Sequence, residues 1–341
     1  MTDPRRRVLV CIPQPFMRAA PGLQTGLEEL GLAVRVETPE FAVDSARLRE
    51  LVRDVEILVV STEHVTESVL RAGGELQMIV KHGAGVDNID VAAATRRGIA
   101  VVNLPGLNAD AVADLTVALV LALARRVVEA VQLVRGGGWG YLLGTELSGK
   151  TYGIIGTGLI GRKVLQRVAG FGLSLLGYDV APDPALAAQL GLRYAPLDEV
   201  LATADVISLH VPLVDSTRGL FNRQAFRLMK RGVLLVNVSR GGVVDEDALL
   251  EALENGTVGG AALDVFAQEP PRRSRLLELP NVLPTPHIGG STIETARRLA
   301  AACVEVIAAF LRGDRPRSLV NPEVWLMRMG KNLAAERREG G

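Results

Sequence analysis

Three polar segments that follow apolar runs contain the side chains best suited to acid–base chemistry. Arg240 follows VLLVNV, Glu269 lies just beyond GGAAL, and His287 follows NVLPT. Histidine can protonate a ketone oxygen during hydride reduction, a carboxylate can orient its ring, and arginine can bind a substrate carboxylate. Because ligands of open α/β sheets sit at the carboxyl ends of strands, we expect these residues to converge, together with Asp264. Alternatively, Arg240 could pair with Asp245, and Glu269 could be only a turn residue.

The chain contains four histidines, and the other three compete for the catalytic role. His64, in STEHVTE, is typical of a solvated loop. His210 ends the run VISLH, so it is interpreted as a packing or adenosine-side residue. His82 stands beside a glycine-containing turn and could shape substrate choice. His287 is preferred because only it comes with a plausible carboxylate and arginine, as a base and its orienting partner require.

The strongest local motif is GTGLIG, residues 156–161, which follows an apolar run and precedes a helical pattern. Gly156 permits a tight turn, Gly158 lets the backbone approach a pyrophosphate, and Gly161 allows close helix–strand packing. Asp179 ends the next predicted strand, 18 residues beyond Gly161. A carboxylate there binds ribose hydroxyls and repels a 2′-phosphate, which favours NAD over NADP. The alternative is a glycine turn and a capping aspartate without a ligand.

Composition limits the class of protein. A chain of 341 residues suits two domains, and with 48% hydrophobic but only 4% aromatic residues the core must be mainly aliphatic, as in parallel sheets. Basic and acidic residues both number 38, which favours neither nucleic acid nor membrane as a partner. Cys11 and Cys303 fit no metal-ligand pattern, so we expect buried thiols, no metal and a reduced, cytoplasmic protein. The N-terminus does not resemble a signal peptide, and the apolar stretch 111–124 is too short to span a bilayer.

Strand-like and helix-like segments alternate in two series, one over the first hundred residues and one from residue 151. This alternation predicts two Rossmann-like α/β units with doubly wound parallel sheets. Between the series, an uninterrupted helix is predicted over about 108–126, followed by a loop or arm, RGGGWGYLLGTEL. A second long amphipathic helix is predicted over 292–311.

Several of these motifs resemble the signature blocks of the D-isomer-specific 2-hydroxyacid dehydrogenases. The blocks are GTGLIG with Asp179, VNVSRGGVVDEDAL, AALDVFAQEP and TPHIGGST, and KHGAGVDNID and VVNLPGLN extend the likeness toward the N-terminus. The resemblance implies a flavodoxin-like substrate-binding domain of residues 1–103 plus 290–341. It also implies an NAD-binding domain of residues 104–289, a cleft between the two domains, and a homodimer formed through 109–147.

The resemblance also implies roles for individual residues. His287 would be the proton donor and acceptor, Glu269 its partner, and Arg240 the group that binds the substrate carboxylate and carbonyl. The backbone around Gly83 would form a nest for the carboxylate. The implied substrate residues are Lys81, His82, Gly83, Ala84, Gly85 and Arg240. The implied cofactor residues are Gly156, Gly158, Leu159, Ile160, Gly161, Asp179, Val211, Val238, Ser239, Asp264 and Gly290, with Asn108 as a cofactor or hinge contact.

The branch that the chain most resembles is the phosphoglycerate dehydrogenase-like one, here expected without a regulatory domain because the chain ends soon after VNPEVW. Phosphoglycerate-specific members carry a basic residue near the position of Val60, and the arm WGYLLG lacks a basic cluster. The phosphorylated acid is therefore one candidate among several small 2-hydroxy or 2-keto acids. Oxidation of a phosphonate, sulfonate or phosphite-type substrate and an NAD(H)-sensing, corepressor-like binding function are the alternatives.

Overall fold

A computed structural model describes residues 6–40 and 42–327, which divide into two compact α/β units. The first unit contains Met1–Asn108 with Ser291–Gly341, and the second contains Ala109–Gly290. The sequence analysis placed these divisions after residues 103 and 289. Both units are built on parallel sheets, which confirms the predicted fold class.

The first unit is built on a five-stranded parallel sheet in the order β2-β1-β3-β4-β5, which is the flavodoxin-like order. Its central strands are buried on both faces, because one hydrophobic cluster lies on each side of the sheet. The strands are β1 Arg7–Cys11, β2 Ala33–Glu37, β3 Ile57–Val60, β4 Met78–Lys81 and β5 Ala100–Val102. The helices are α1 Gln14–Ala19, α2 Gly22–Glu29, α3 Ser45–Leu51, α4 Glu67–Ala72, α5 Val91–Arg96 and the late helix α13 Ile293–Leu311.

Asn321 fastens the segment after α13 to the edge of this sheet. Its side-chain oxygen accepts a hydrogen bond of 2.8 Å from the amide of Val101. Its amide nitrogen donates to Oγ1 of Thr95 and to the carbonyl of Ile99, both at 2.9 Å. Asn321 is 1% exposed, so these bonds replace water completely and satisfy backbone groups that would otherwise be unpaired.

The second unit is built on a seven-stranded parallel sheet in the order β12-β11-β10-β9-β6-β7-β8. Starting from β6, this is the classical dinucleotide-binding order with one additional edge strand. The strands are β6 Thr151–Ile155, β7 Ser174–Tyr178, β8 Arg193–Tyr194, β9 Val206–Leu209, β10 Val233–Asn237, β11 Val258–Leu263 and β12 Val282–Pro284. The helices are α6 Ala109–Ala124, α7 Val127–Arg135, α8 Leu159–Val168, α9 Pro184–Leu190, α10 Leu197–Thr203, α11 Arg223–Leu228 and α12 Glu246–Glu254.

The predicted helix over 108–126 ends earlier than expected. It stops at Ala124, and Arg126 adopts a left-handed conformation with φ of 52° before α7 begins at Val127. A left-handed residue cannot continue a right-handed helix, so the chain turns there. In α9, Asp183 caps the first turn and Gly191 ends the helix in a left-handed conformation. Among the described helices, none combines the length and the apolar character needed to cross a membrane.

We predict that Asn321→Ala lowers the free energy of unfolding by roughly 2–4 kcal/mol, because it leaves buried backbone groups without partners. Urea unfolding followed by circular dichroism measures this change. The matched control is Asn255→Ala, which removes one exposed hydrogen bond to the amide of Thr257 and should cost far less. Equal losses in the two variants would contradict the proposed importance of the Asn321 contacts.

Candidate active site

Asn237, the last residue of β10, organises the turn that leads to Arg240. Its side-chain oxygen accepts hydrogen bonds from the amide and the hydroxyl of Ser239, at 3.0 and 2.8 Å. Its amide nitrogen donates to the carbonyl of Arg240 at 3.0 Å. Asn237 is fully buried and was not among the predicted site residues. The available signal was a single amide side chain inside an otherwise apolar strand.

Gly241 brings the Arg240 turn against the segment that follows β11. A Cβ atom at this position would lie 1.9 Å from the carbonyl carbon of Phe266, so only glycine permits the approach. The amide of Ala267 donates to Oε1 of Glu246 at 2.7 Å, which ties the segment to the first turn of α12. Asp245, the suggested alternative partner of Arg240, caps α12 by accepting a hydrogen bond from the amide of Ala248.

His287 and Glu269 form a direct hydrogen-bonded pair. Nδ1 of His287 lies 2.7 Å from Oε2 of Glu269, and Oε1 of Glu269 accepts from the amide of Phe266 at 3.1 Å. Burial alone would raise the pKa of Glu269, but the bond from His287, the bond from Phe266 and the charge of Arg240 lower it below its usual value. Glu269 is therefore an ionised partner. Because Nδ1 is used in this contact, Nε2 is the ring nitrogen that remains for a substrate.

Asp264 holds the backbone on both sides of His287. Oδ1 accepts from the hydroxyl of Thr285 at 2.7 Å and from the amide of Ile288 at 2.8 Å, while Oδ2 accepts from the amide of Gly289 at 2.7 Å. His287 itself has a φ of 54°, a conformation that is uncommon outside glycine. Burial raises the pKa of Asp264, and the three donated bonds and the charge of His287 oppose that rise. The sequence analysis assigned Asp264 to the cofactor; the structure places its oxygens on the His287 segment.

The GTGLIG segment has the geometry of a pyrophosphate cradle. Gly156 has a φ of 94° and passes so close to the carbonyl of His210 that a Cβ would lie 2.7 Å from it. A Cβ on Gly161 would lie 2.1 Å from the carbonyl oxygen of Gly156. Beside Gly158 there is open space, and no side chain caps the helix that begins at Leu159. The first amides of α8 can therefore receive a diphosphate, and the segment fits a dinucleotide.

Asp179 lies beside this cradle at the end of β7 and is held by the glycine segment itself. Its Oδ2 accepts from the amide and the hydroxyl of Thr157 at 2.6 and 3.0 Å, and its Oδ1 accepts from the amide of Ala181 at 2.9 Å. The hydroxyl of Thr157 also contacts the phenol of Tyr194 at 2.9 Å. Burial would raise the pKa of Asp179, but the donated bonds lower it, so the group is an anion. Thr157 and Tyr194 were not predicted.

The remaining predicted cofactor positions lie along the same strand ends. Val211 approaches Gly156, Val238 and Ser239 are buried after β10, and Gly290 follows Gly289 directly. His210 has Nε2 2.9 Å from the hydroxyl of Ser208, and burial lowers its pKa to about 3. This neutral, enclosed ring is consistent with the packing interpretation of His210.

The predicted carboxylate nest lies in the first unit, just after β4. Gly83 has a φ of 152°. Among the described residues, the backbone N–H groups of Ala84 and Gly85 donate no hydrogen bond to another backbone group. His82 is buried and meets the ring of Phe16 edge-on at 5.6 Å. Burial and the charge of Lys81 lower the pKa of His82 to about 4, so it is neutral at physiological pH. Val60, where phosphoglycerate-specific members carry a basic residue, packs in the hydrophobic cluster on one side of the first sheet.

Residues 117–289 match the family model described as the D-isomer specific 2-hydroxyacid dehydrogenase, NAD binding domain. The chain is 41% identical over 307 residues to hydroxypyruvate reductase of Thermotoga maritima, covering 88% of this chain and 97% of that one. It is 42% identical over 274 residues to D-3-phosphoglycerate dehydrogenase of Homo sapiens, covering 80% of this chain but 51% of the human protein. The chain thus spans about half the length of the curated phosphoglycerate dehydrogenases that it matches first.

Solved structures of other proteins share the fold of this chain. D-lactate dehydrogenase from Aquifex aeolicus, complexed with NAD and lactic acid, superposes with a TM-score of 0.82 at 32% identity, covering 92% of this chain and 99% of that one. The sequence match and the structural match agree on one family. This chain belongs to the D-isomer-specific 2-hydroxyacid dehydrogenases, and its second unit contains their NAD-binding domain.

Proposed function

We propose that this protein transfers a hydride between NAD(H) and a small 2-hydroxy or 2-keto acid. The observation that carries the proposal is the His287–Glu269 pair, in which an ionised carboxylate holds Nδ1 and directs Nε2 to the substrate. Arg240 is close enough for its charge to lower the pKa of Glu269, so all three side chains belong to one electrostatic unit. Family membership makes this unit part of a dehydrogenase.

The residues have distinct tasks in the reaction. NADH, when bound, supplies the hydride for the substrate carbonyl carbon. Nε2 of His287 gives its proton to the carbonyl oxygen in reduction and takes the hydroxyl proton in oxidation. Glu269 stabilises the imidazolium, and Arg240 binds the substrate carboxylate and polarises the carbonyl. The backbone amides of Ala84 and Gly85, which follow Gly83, would also bind the carboxylate of a 2-keto acid.

The cofactor is held by the glycine segment and Asp179. The amides at the start of α8 would receive the pyrophosphate, over Leu159 and Ile160. Asp179 would accept hydrogen bonds from the ribose hydroxyls, and its negative charge would repel the additional phosphate of NADP. Val211, Val238, Ser239 and Gly290 would line the cofactor site between these two groups and His287.

We place the substrate among 2-keto acids with a short side chain, in the phosphoglycerate dehydrogenase-like branch. Hydroxypyruvate and phosphoglycerate, which appear in the names of the two relatives, are the first compounds to test. Val60 is buried among apolar side chains and offers no charge to a phosphate, so the phosphorylated acid stays one candidate among several. We also propose a cytoplasmic location, which the two free, buried cysteines support because thiols stay reduced there.

We predict that purified protein oxidises NADH with at least one short 2-keto acid and that His287→Ala lowers kcat by about 10²- to 10⁴-fold, the usual contribution of a general acid. NADH absorbance over a panel containing hydroxypyruvate, glyoxylate, pyruvate and phosphohydroxypyruvate measures this. His64→Ala, which changes an exposed histidine, should leave kcat intact. Undiminished turnover by His287→Ala would refute the acid–base assignment. NADH binding without any turnover would favour a sensor function instead.

We predict that Asp264→Asn lowers kcat by about 10- to 100-fold, because an amide nitrogen would face the donors that now fix the His287 backbone. The dissociation constant for NADH, measured by fluorescence, should change much less than kcat. Asp205→Asn is the matched control, since Asp205 is a partly buried carboxylate that accepts from the amide of Thr151 elsewhere on the same sheet. A loss of NADH affinity equal to the loss of kcat would instead make Asp264 chiefly a cofactor ligand.

We also propose that the protein is a homodimer formed through residues 109–147. The helix α7 exposes an apolar face, and the arm after it exposes three large apolar side chains. Such contiguous exposed apolar surface is typical of a protein–protein interface. The exposed residues are Val127, Val128, Val131 and Val134 in α7, and Trp139, Tyr141 and Leu143 in the arm.

We predict that the double variant Val131→Asp/Val134→Asp is monomeric where the unchanged protein is dimeric, because two carboxylates would be desolvated at the interface. Light scattering after size-exclusion chromatography measures the mass. Val214→Asp alters an equally exposed valine outside this region and should leave the dimer intact. A monomeric unchanged protein, or a double variant that remains dimeric, would contradict the interface.

A further inference from the structure

One amide side chain joins two loops of the first unit. Nδ2 of Asn88 donates to the carbonyls of Ser61 and Glu63, at 3.2 and 2.6 Å. Its Oδ1 accepts from Nζ of Lys81 at 2.8 Å. Both N–H groups and the oxygen of this amide are therefore used. The loop after β3 is thereby fixed to the loop after β4.

The backbone around Asn88 makes the same connection. The amide of Val65 donates to the carbonyl of Asn88 at 2.8 Å, and the amide of Asp90 donates back to Val65 at 2.9 Å. Asp90 then caps α5 by accepting from the amide of Ala93 at 2.9 Å. Because these bonds hold the backbone of residue 88 in place, its side chain can be shortened without releasing the loop.

Lys81 is held next to the first residue of the predicted carboxylate nest. Its ammonium also donates to the carbonyl of Ser61. Its Cε lies 3.6 Å from the position that a Cβ would occupy on Gly83. The flexible lysine stem is thus packed against the first residue of the nest, while its charged end is fixed by two acceptors.

The side chain of Glu63 lies beneath the same contact. It is completely buried, and its Oε2 accepts from the amide of Ser61 at 2.7 Å. Burial raises the pKa of Glu63, and the charge of Lys81 acts in the opposite direction. The charge of Lys81 therefore acts on neighbouring groups such as Glu63, because charges interact strongly in a partly dehydrated site.

We propose that Asn88 is a positioning residue for carboxylate binding, which fixes Lys81 as a stationary cation next to the nest formed by Gly83, Ala84 and Gly85. The proposal rests on the proposed function, since it assumes that the substrate carboxylate binds at this nest. Lys81 then favours every 2-keto acid equally, because it acts on the shared carboxylate. It is not a contact for a charged group at the far end of the substrate.

The test combines Asn88→Ala, Lys81→Met and the double variant with two readouts. Titration calorimetry with oxalate measures carboxylate binding without turnover, and steady-state kinetics with two 2-keto acids separates KM from kcat. We expect oxalate affinity to fall and KM to rise about tenfold in each single variant, with kcat nearly unchanged. The double variant should bind oxalate as tightly as Lys81→Met does, because both changes remove the same fixed positive charge. Asn88→Asp, which loses both donors and neutralises the charge of Lys81, should bind oxalate no more tightly than Asn88→Ala.

Gln77→Ala is the matched control, because Gln77 is a partly buried amide at the opposite end of β4. It should leave oxalate binding unchanged, and thermal melting identifies any variant that fails to fold. Additive effects, a fall in kcat equal to the fall in kcat/KM, or an effect confined to substrates with charged side chains would overturn the proposal. So would unchanged oxalate affinity in Asn88→Ala, or no oxalate binding to the unchanged protein. Oxalate binding without turnover of any 2-keto acid would refute the proposed function while leaving this inference standing.

Discussion

The left-handed backbone of His287 is the constraint on which the candidate site depends. A residue other than glycine adopts this conformation at an energetic cost, and surrounding contacts must hold it there. Asp264 supplies them by accepting hydrogen bonds from Thr285, Ile288 and Gly289, on both sides of the histidine. Only with the backbone fixed in this way does the ring present Nδ1 to Glu269. Asp264 and Glu269 therefore act on one histidine, the first through its backbone and the second through its ring.

The parallel sheet explains why these groups can meet although they are distant in sequence. In β10, β11 and β12 the chain runs in the same direction, so their carboxyl ends lie at one edge. The turn after β10 reaches the segment after β11 because Gly241 has no side chain to obstruct Phe266. A small residue at this point is thus as necessary to the geometry as the charged groups themselves. The sheet supplies the common edge, and glycine supplies the close approach.

The sequence predicted regular elements and local motifs well, because both depend on neighbouring residues. The long helix predicted over 292–311 spans Ile293–Leu311 in the structure, and the glycine segment opens a helix at Leu159 as expected. It did not predict the contacts of Asn237 or Asn88, whose partners are carbonyls and amides that only the folded backbone brings within reach. The two-residue strand β8 was missed because so short a segment has no periodicity to detect.

Three carboxylates of the second unit show how one chemical group takes different tasks from its surroundings. Asp179 and Glu269 each receive enough hydrogen bonds and positive charge to outweigh burial, so their pKa values fall and they act as anions. Asp264 receives three donors but is the most deeply buried, and its pKa is raised. The first two carboxylates would bring a negative charge to a ribose and to an imidazolium. Asp264 accepts all three of its hydrogen bonds from the segment that carries His287, and this geometry assigns it to holding His287 in place.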